Sequence, residues 1–453
     1  MITQEEALRQ EGLSYSSQLT ARLETFLEPQ IERLDAYLDK RLVRTFVATI
    51  AALISFRNPK QGLCLSELGA YVTDGAHAPA GTKRISNLLH STKWGIFLIE
   101  WFLWMRAEEK VQELAQQGER VLCVWDGSVI EKPESEKMEG LCAVKSSKAR
   151  RLRRSRKGVF NQSGGKPISV MGMEWIAILV LGMHGHPMVA RMKWWTRKTM
   201  KRREVERQLL AEVVRRWGKK LFHIFDRGYA GGPWLEALQY FGALFVMRWK
   251  KGHVFEDQHG QKRKLWEIAR GKRAWMQELV WDEKKKCYCK IGVLALPVRH
   301  ASYAGPLWLV VGRRGGEPWY LLTNVPIETK EAAWEIIIAY AKRWKIEMSF
   351  RYGKSELAME SLRLWAWDTR EKLLFLVTLV YAYLLSLLDA TCETVRTWVL
   401  RQYCHRTGKR YREARIPLYR LRWAISRLWL DFRPIFQSVL FLSHPKSCSN
   451  FSG

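Results

Sequence analysis

The sequence predicts an α/β fold: a mixed sheet with helices on its faces, preceded by a helical region, interrupted by a β-rich segment and followed by a basic C-terminal stretch. Three observations predict it. Between residues 120 and 249, short apolar runs and amphipathic stretches follow in the order strand, strand, strand, helix, strand, helix, strand. Residues 250–325 abandon that rhythm for Lys- and Trp-rich strand-like runs. On either side, apolar residues recur at spacings of three and four, as helices require.

Residues 17–56 read as helix, with Pro29 expected to end or kink the first segment. A short helix, a Gly/Pro/Ala turn and a second helix bearing Lys83, Arg84 and Lys93 make a small module able to present a helix to DNA, without strict helix-turn-helix spacing. "RVLCVWDGSVI" is an apolar strand expected to end in Asp126. "PISVMGMEWIAILVLG" and "HPMVARMKWW" are two strands joined around Gly185. "RREVERQLLAEVVRRW" is an amphipathic helix, "KLFHIFDRGYA" a buried strand ending in Asp226, "GPWLEALQYFG" a helix between Pro233 and Gly242, and "ALFVMRWK" a fifth strand. Both aspartates thus fall at C-terminal ends of strands, where α/β sheets collect functional groups. "KIGVLALPVRH", "PLWLVVGRR" and "EPWYLLTNVP" build the β-rich segment. The expected domains are 1–115 helical and DNA-binding, 116–249 the first part of the core, 250–325 the β-rich insertion, 326–390 the remainder of the core, and 391–453 basic.

Composition narrows the function. The chain has 453 residues, 47% hydrophobic, with 22 tryptophans, so it can bury a sizeable core and is no disordered basic tail. Its 75 Lys+Arg against 45 Asp+Glu leave a net charge of +30. Such an excess favours a polyanion, with nucleic acid first and an anionic membrane surface second. The eight cysteines form no CxxC pair, and Cys287 and Cys289 are too close for a zinc knuckle, which fits reduced thiols in a cytosolic protein. His184 and His186 read as loop histidines. "MITQEEALRQEGLS" is polar and acidic, unlike a signal peptide. The longest apolar run, Leu373 to Leu388, has 16 residues and falls short of the roughly 20 needed to span a bilayer. It is expected to be a buried core helix.

Chemistry concentrates in "YAKRWKIEMSFRYGK". On one helix at about 100° per residue, Tyr340, Arg343, Glu347 and Lys354 share a sector of roughly 60°. Asp126, Asp226 and Glu347 are acids in a cationic chain, and two of them end apolar strands where a lone carboxylate is costly to desolvate. Brought together without a counterion they would repel and raise one another's pKa. A pair of divalent ions removes that penalty and can activate an attacking oxygen while stabilising a leaving one. Arg343 and Lys354 can hold phosphates, and Tyr340 can donate to one. Taken singly, a strand-end Asp is as readily a turn residue, and Glu347 four places after Arg343 is a common helix ion pair.

The spacing Y-x2-R-x3-E-x6-K, carried by Tyr340, Arg343, Glu347 and Lys354, resembles the YREK signature of DDE transposases of insertion-sequence family four. "YLLTN", "WDGSVI" and "IFDRGY" resemble other blocks of that family, so the likeness covers roughly residues 115–365. Ser128 stands where members often carry threonine, which retains a hydroxyl. The resemblance implies an RNase H-like catalytic core, Asp126, Asp226 and Glu347 as catalytic and metal-binding triad, and two Mg²⁺ or Mn²⁺ ions. It implies cleavage at element ends, commonly through a hairpin, and attack of the freed 3′-OH on target DNA. Element ends and target DNA as partners, a homodimer in the paired complex, and a bacterial cytoplasmic, nucleoid-associated location follow as expectations.

Trp319, just before "YLLTN", matches the position of that family's base-stacking tryptophan; it could equally be an ordinary strand tryptophan. "KSSKARRLRRSRK" holds eight basic residues in thirteen, and Lys148, Arg150, Arg151, Arg153 and Arg154 are expected on phosphates. The same is expected of Arg248 and of "KWWTRKTMKRR", which mixes Trp194 and Trp195 with Lys193, Arg197, Lys198, Lys201, Arg202 and Arg203. The alternatives are a metal-dependent nuclease without strand transfer, a non-catalytic DNA-binding protein and a membrane-associated protein.

Overall fold

The computed structural model describes residues 3–56, 62–135, 137–146, 169–282, 287–314, 317–404 and 418–437. Lys148, Arg150, Arg151, Arg153 and Arg154 lie outside them. The chain divides into two units that do not follow sequence order. One comprises Met1–Trp104, Ile130–Leu141 and Arg351–Gly453; the other comprises Met105–Val129 and Cys142–Phe350.

The first unit begins with α1 (Gln4–Asp35), α2 (Lys40–Ser55), α3 (Leu65–Val72), α4 (Ala78–His90) and the start of α5 (Phe97–Gln116). The helix does not end at Pro29: α1 runs through it to Asp35, because Leu27, Gln30, Ile31 and Leu34 on either side of the proline are buried. Tertiary packing there outweighs the local cost of the missing hydrogen bond. Among the described residues, no single helix is long and apolar enough to cross a membrane.

The second unit is built on a sheet. Its strands are β1 (Val121–Glu131), β2 (Cys142–Lys145), β3 (Ser169–Leu181) and β4 (Met188–Trp195). After helix α6 (Arg202–Trp217) come β5 (Leu221–Phe225), α7 (Gly232–Tyr240) and β6 (Leu244–Arg248). The β-rich segment adds β7 (Val254–Glu256), β8 (Lys262–Lys264), the short α8 (Leu265–Ala269), β9 (Met276–Asp282), β10 (Cys287–His300), β11 (Tyr303–Arg314) and β12 (Trp319–Thr323). Helix α9 (Lys330–Ala341) and most of α10 (Trp344–Ser355) complete the unit. The rest of the chain returns to the first unit through α11 (Trp367–Ser386), α12 (Glu393–Tyr403) and α13 (Leu418–Asp431). α11 carries the long apolar run and is buried along nearly its whole length, as expected of a core helix.

The sheet runs β2-β3-β1-β5-β6-β12-β11-β10-β7-β8, with β4 beside β3 and β9 beside β10. β1, β5 and β6 are parallel, in register Val124↔Ile224 and Ile224↔Val246. Residues Val121–Trp125 and all of β5 are buried, which explains their unbroken apolar character: a parallel strand covered on both faces has no polar side. The β-rich segment continues this sheet, since β12 pairs antiparallel with β6 through Leu321↔Arg248 and Thr323↔Val246. "YLLTN" is explained by that seam. The Thr323 hydroxyl donates to the Phe245 carbonyl at 2.6 Å, and the Asn324 side chain accepts from Phe245 N at 3.0 Å and donates to the Ala243 carbonyl at 2.8 Å.

Candidate active site at the strand ends

β1 does not stop at Asp126 but continues to Glu131. What stops is its pairing with β5, whose last partners are Val124 and Ile224. Asp126 therefore stands two residues past the end of the parallel ladder, and Asp226 follows directly on β5. The two come from neighbouring strands at the edge where backbone groups leave the sheet. Each carboxylate caps a nearby backbone amide: Asp126 Oδ1 accepts from Gly127 N at 2.8 Å, and Asp226 Oδ1 from Gly228 N at 2.7 Å. Trp125 Nε1 donates to His223 Nδ1 at 3.0 Å, tying β1 to β5 one residue before Asp126. Burial drives the His223 imidazole down to about 3, so it stays neutral and its Nδ1 remains an acceptor. This brace is not legible in the sequence, since a histidine inside an apolar strand reads only as a polar interruption.

Tyr340, Arg343 and Glu347 do not lie on one uninterrupted helix. α9 ends at Ala341 and α10 starts at Trp344. Across the break, Arg343 N bonds to Tyr340 O, Lys345 N to Lys342 O and Ile346 N to Arg343 O, each three residues back. The tighter winding breaks the 100° progression. The Arg343–Glu347 relation survives as an ion pair, and Arg343 Nη1 also reaches Asp126 Oδ2 at 3.3 Å. One guanidinium thus bridges the first aspartate and the glutamate. Burial opposes its charge, but the Tyr340 phenol and the Glu347 and Asp126 carboxylates hold it cationic.

Asp126 shows what the arrangement costs. Burial pushes its carboxyl up to about 7, the Asp226 charge adds to the rise, and Glu347 adds a little more. Arg343 and the Gly127 amide pull the other way without cancelling it. The carboxylate remains short of positive charge even with the guanidinium beside it.

Trp319 opens β12 half-exposed and meets Tyr340 edge-on, with ring centroids 5.2 Å apart. Tyr340 is buried, which raises its phenol, while Arg343 and Arg248 act to lower it. Arg248, at the end of β6, lies 3.7 Å from Glu317. Trp319, Tyr340 and Arg343 therefore form a continuous line of side chains to the acids. Lys354 belongs to the first unit, where it stands 3.8 Å from Glu360. Trp194 and Trp195 are core residues, 1% and 4% exposed, and so cannot offer a face to a base; Arg197 beside them pairs with buried Glu174. His184 and His186 flank the turn at Gly185, whose φ of +79° is one that glycine accommodates without strain.

Residues 118–383, more than half of the chain, match the family described as "Transposase DDE domain". The chain belongs to that family. As a member of that family it is a transposase, an enzyme acting on DNA, and the matched stretch contains Asp126, Asp226 and Glu347. No curated protein matches it. Among solved structures it is similar to one described as "Cryo-EM structure of piggyBac transposase synaptic complex with hairpin DNA", with 11% identity, coverage of 89% of this chain and 75% of that chain, and a TM-score of 0.40.

The donors of the transposase fit a divalent cation in kind: three carboxylates offer the oxygen ligands that Mg²⁺ or Mn²⁺ prefers. Their charge fits too, because burial and the neighbouring Asp226 hold the Asp126 carboxyl up, a penalty that a divalent cation offsets. Their placement falls short. Among the described residues, no three acid, His or Cys side chains are gathered closely enough to hold an ion. Between Asp126 and Glu347 stands Arg343.

Proposed function

We propose that this DDE transposase is a cut-and-paste enzyme of insertion-sequence family four, with an RNase H-like core, that cleaves the ends of its element and joins the freed 3′-OH to target DNA. The observation that carries the reading is the bridge of Arg343 across Asp126 and Glu347 beside Asp226. An aspartate just past the parallel ladder and a helix glutamate drawn to one cationic group, with a second aspartate beside them, suit a phosphodiester-cleaving centre before its ions and substrate are in place. The sheet order β4-β3-β1-β5-β6, with β1, β5 and β6 parallel, supports the RNase H-like assignment.

In this reading Asp126, Asp226 and Glu347 would hold two Mg²⁺ or Mn²⁺ ions once Arg343 has left the space between Asp126 and Glu347. When bound, the ions supply activation of the attacking oxygen and neutralisation of the leaving one. The protein does the remaining work. Gly127 N and Gly228 N orient the two aspartates by direct hydrogen bonds. The Trp125–His223 bond fixes the strand that carries Asp126. Arg343 exchanges its carboxylates for a DNA phosphate, which a planar guanidinium grips in two places. Tyr340 and Arg248 flank that phosphate, and Lys354 takes another after leaving Glu360. Trp319 receives a base turned out of the stack when the end closes into a hairpin, its ring held edge-on by Tyr340. Lys148, Arg150, Arg151, Arg153 and Arg154 add phosphate contacts, and two copies of the chain pair the element ends.

The test is a gel assay with a duplex carrying the terminal sequence of the element and Mn²⁺. Cleaved ends followed by strand-joined products are expected, and both should vanish in Asp126→Ala while the duplex stays bound. Cleavage without joining, given a free 3′-OH end, would assign a nuclease instead. Neither product under any condition would leave a DNA-binding protein.

A further inference from the structure

We propose that Arg202 is a further phosphate-binding residue of the same centre, reaching a non-bridging oxygen of the DNA strand held at Asp126. This rests on the transposase reading and adds a residue to it.

Arg202 is the first residue of α6. Its Nε donates to Glu206 Oε1 at 2.8 Å, and Arg203 Nη1 donates to Glu206 Oε2 at 2.9 Å. Glu206 is 1% exposed. One buried carboxylate thus serves two guanidiniums and leaves a positive charge over. It engages Arg202 through Nε only, and among the described residues the two terminal nitrogens meet no hydrogen-bond acceptor.

Those nitrogens lie against Gly127, the neighbour of Asp126. A Cβ at residue 127 would come within 2.4 Å of Arg202 Nη2 and 3.0 Å of its guanidinium carbon. Gly127 is not among the glycines with positive φ, so its backbone does not demand glycine. What lies close is the far end of the Arg202 side chain, which a larger residue at 127 would push aside. On another side the Arg202 guanidinium carbon is 6.0 Å from the centroid of the Tyr229 ring, which is fully buried. The Tyr229 phenol feels the charges of Glu206, Arg202, Asp126 and Asp226 together, which places all of them in one neighbourhood.

A guanidinium offers five donors, of which Arg202 directs one at Glu206. Arg202 keeps 39% of its side chain exposed, with spare donors and surplus charge next to the first aspartate. It is not the counterion of the acids, a place that Arg343 fills. A site holding carboxylates and an incoming phosphodiester needs a fixed cation that does not compete for the carboxylates. Arg202, tethered to Glu206, meets that requirement.

The experiment is a double-mutant cycle between protein and DNA. The duplex carries the terminal sequence of the element, with either a normal phosphate or an uncharged methylphosphonate at the cleavage position. It is titrated in EDTA against wild type and Arg202→Gln. Each change alone is expected to weaken binding about tenfold, the worth of one charge-assisted hydrogen bond, and the two together by no more than either alone. Additive losses, about a hundredfold together, would show that Arg202 acts through the fold and overturn the proposal. Should Arg202→Gln melt below the assay temperature, Arg202→Lys goes through the same cycle; a lysine keeps the charge, so the methylphosphonate should still cost affinity, and loss of binding that is indifferent to the phosphate overturns the idea. If wild type prefers the terminal duplex no more than an unrelated one, the transposase reading falls and takes this inference with it.

Discussion

Arg343 Nη1 lies 3.3 Å from Asp126 Oδ2 while the same guanidinium pairs with Glu347, four residues along the chain. Both Arg343 and Asp126 are mostly covered, at 17% and 15% side-chain exposure, so this is more than a surface ion pair. A covered pair that loses one partner leaves the other charge stranded. Arg343→Met should therefore cost about 3 kcal/mol in urea unfolding without divalent ions. Added Mn²⁺ should recover more stability in the variant than in wild type, because the guanidinium no longer stands between the acids. Equal recovery in both would show that Arg343 does not obstruct the ions.

The pH dependence follows from Asp126. Its folded-state pKa, about 7, lies above the ordinary carboxylate value of about 3.9. A group with a raised acid pKa binds its proton more tightly when folded, so its contribution to stability is present at low pH and is lost as pH rises. The stability difference between wild type and Asp126→Asn, measured without divalent ions, should fall between about pH 4 and pH 7 and then level off. A difference that stays flat across that window would contradict the burial argument.

Trp319 meets Tyr340 edge to face and, among the described residues, has no contact of its own with the acids, so shortening it tests the proposed base platform. Trp319→Ala should reduce hairpin formation about tenfold, the lower end of a stacking contact of 1–3 kcal/mol, while leaving the first nick nearly unchanged. Band intensities for nicked and hairpin DNA from one reaction check this. Equal loss of both bands would return Trp319 to an ordinary place in its strand.

With a net charge of +30, binding to end DNA should weaken steeply with salt. The logarithm of affinity should fall by about 0.9 per phosphate contacted for each tenfold rise in salt. Substituting Arg248 with Gln should lower that slope by about one contact. Fluorescence anisotropy across a series of KCl concentrations would measure both, and a shallow slope in wild type would contradict a phosphate-dominated interface.

Gly127→Ala places a methyl where Arg202 now lies. The guanidinium, the far end of a flexible side chain, must swing aside, at a cost below the roughly 1–3 kcal/mol of overpacking a rigid core. Thermal melts of Gly127→Ala alone and combined with Arg202→Ala would measure it. The second substitution should relieve most of the loss; failure to do so would place the clash elsewhere.

The sequence alone determined the alternation of elements, the apolar strands and the candidate acids. Hydrophobic period and turn residues are local signals, and "VLCVW" and "LFHIF" had to be covered on both faces wherever they lay. The spacing of Tyr340, Arg343, Glu347 and Lys354 was legible for the same reason, being a matter of counting along one segment. Only the tertiary structure decided what those residues meet. The helix breaks between Tyr340 and Glu347, Asp126 lies beyond the β1–β5 ladder and not at the strand end, and α1 runs through Pro29. Trp194 and Trp195 turned inward although basic residues surround them. The contacts of Arg343 with Asp126, of Arg202 with Gly127 and of Trp125 with His223 join residues far apart in the chain. No periodicity records such meetings, because they arise when separate strands and helices compete to bury their apolar faces, and charged side chains then pair with whatever that burial has brought within reach.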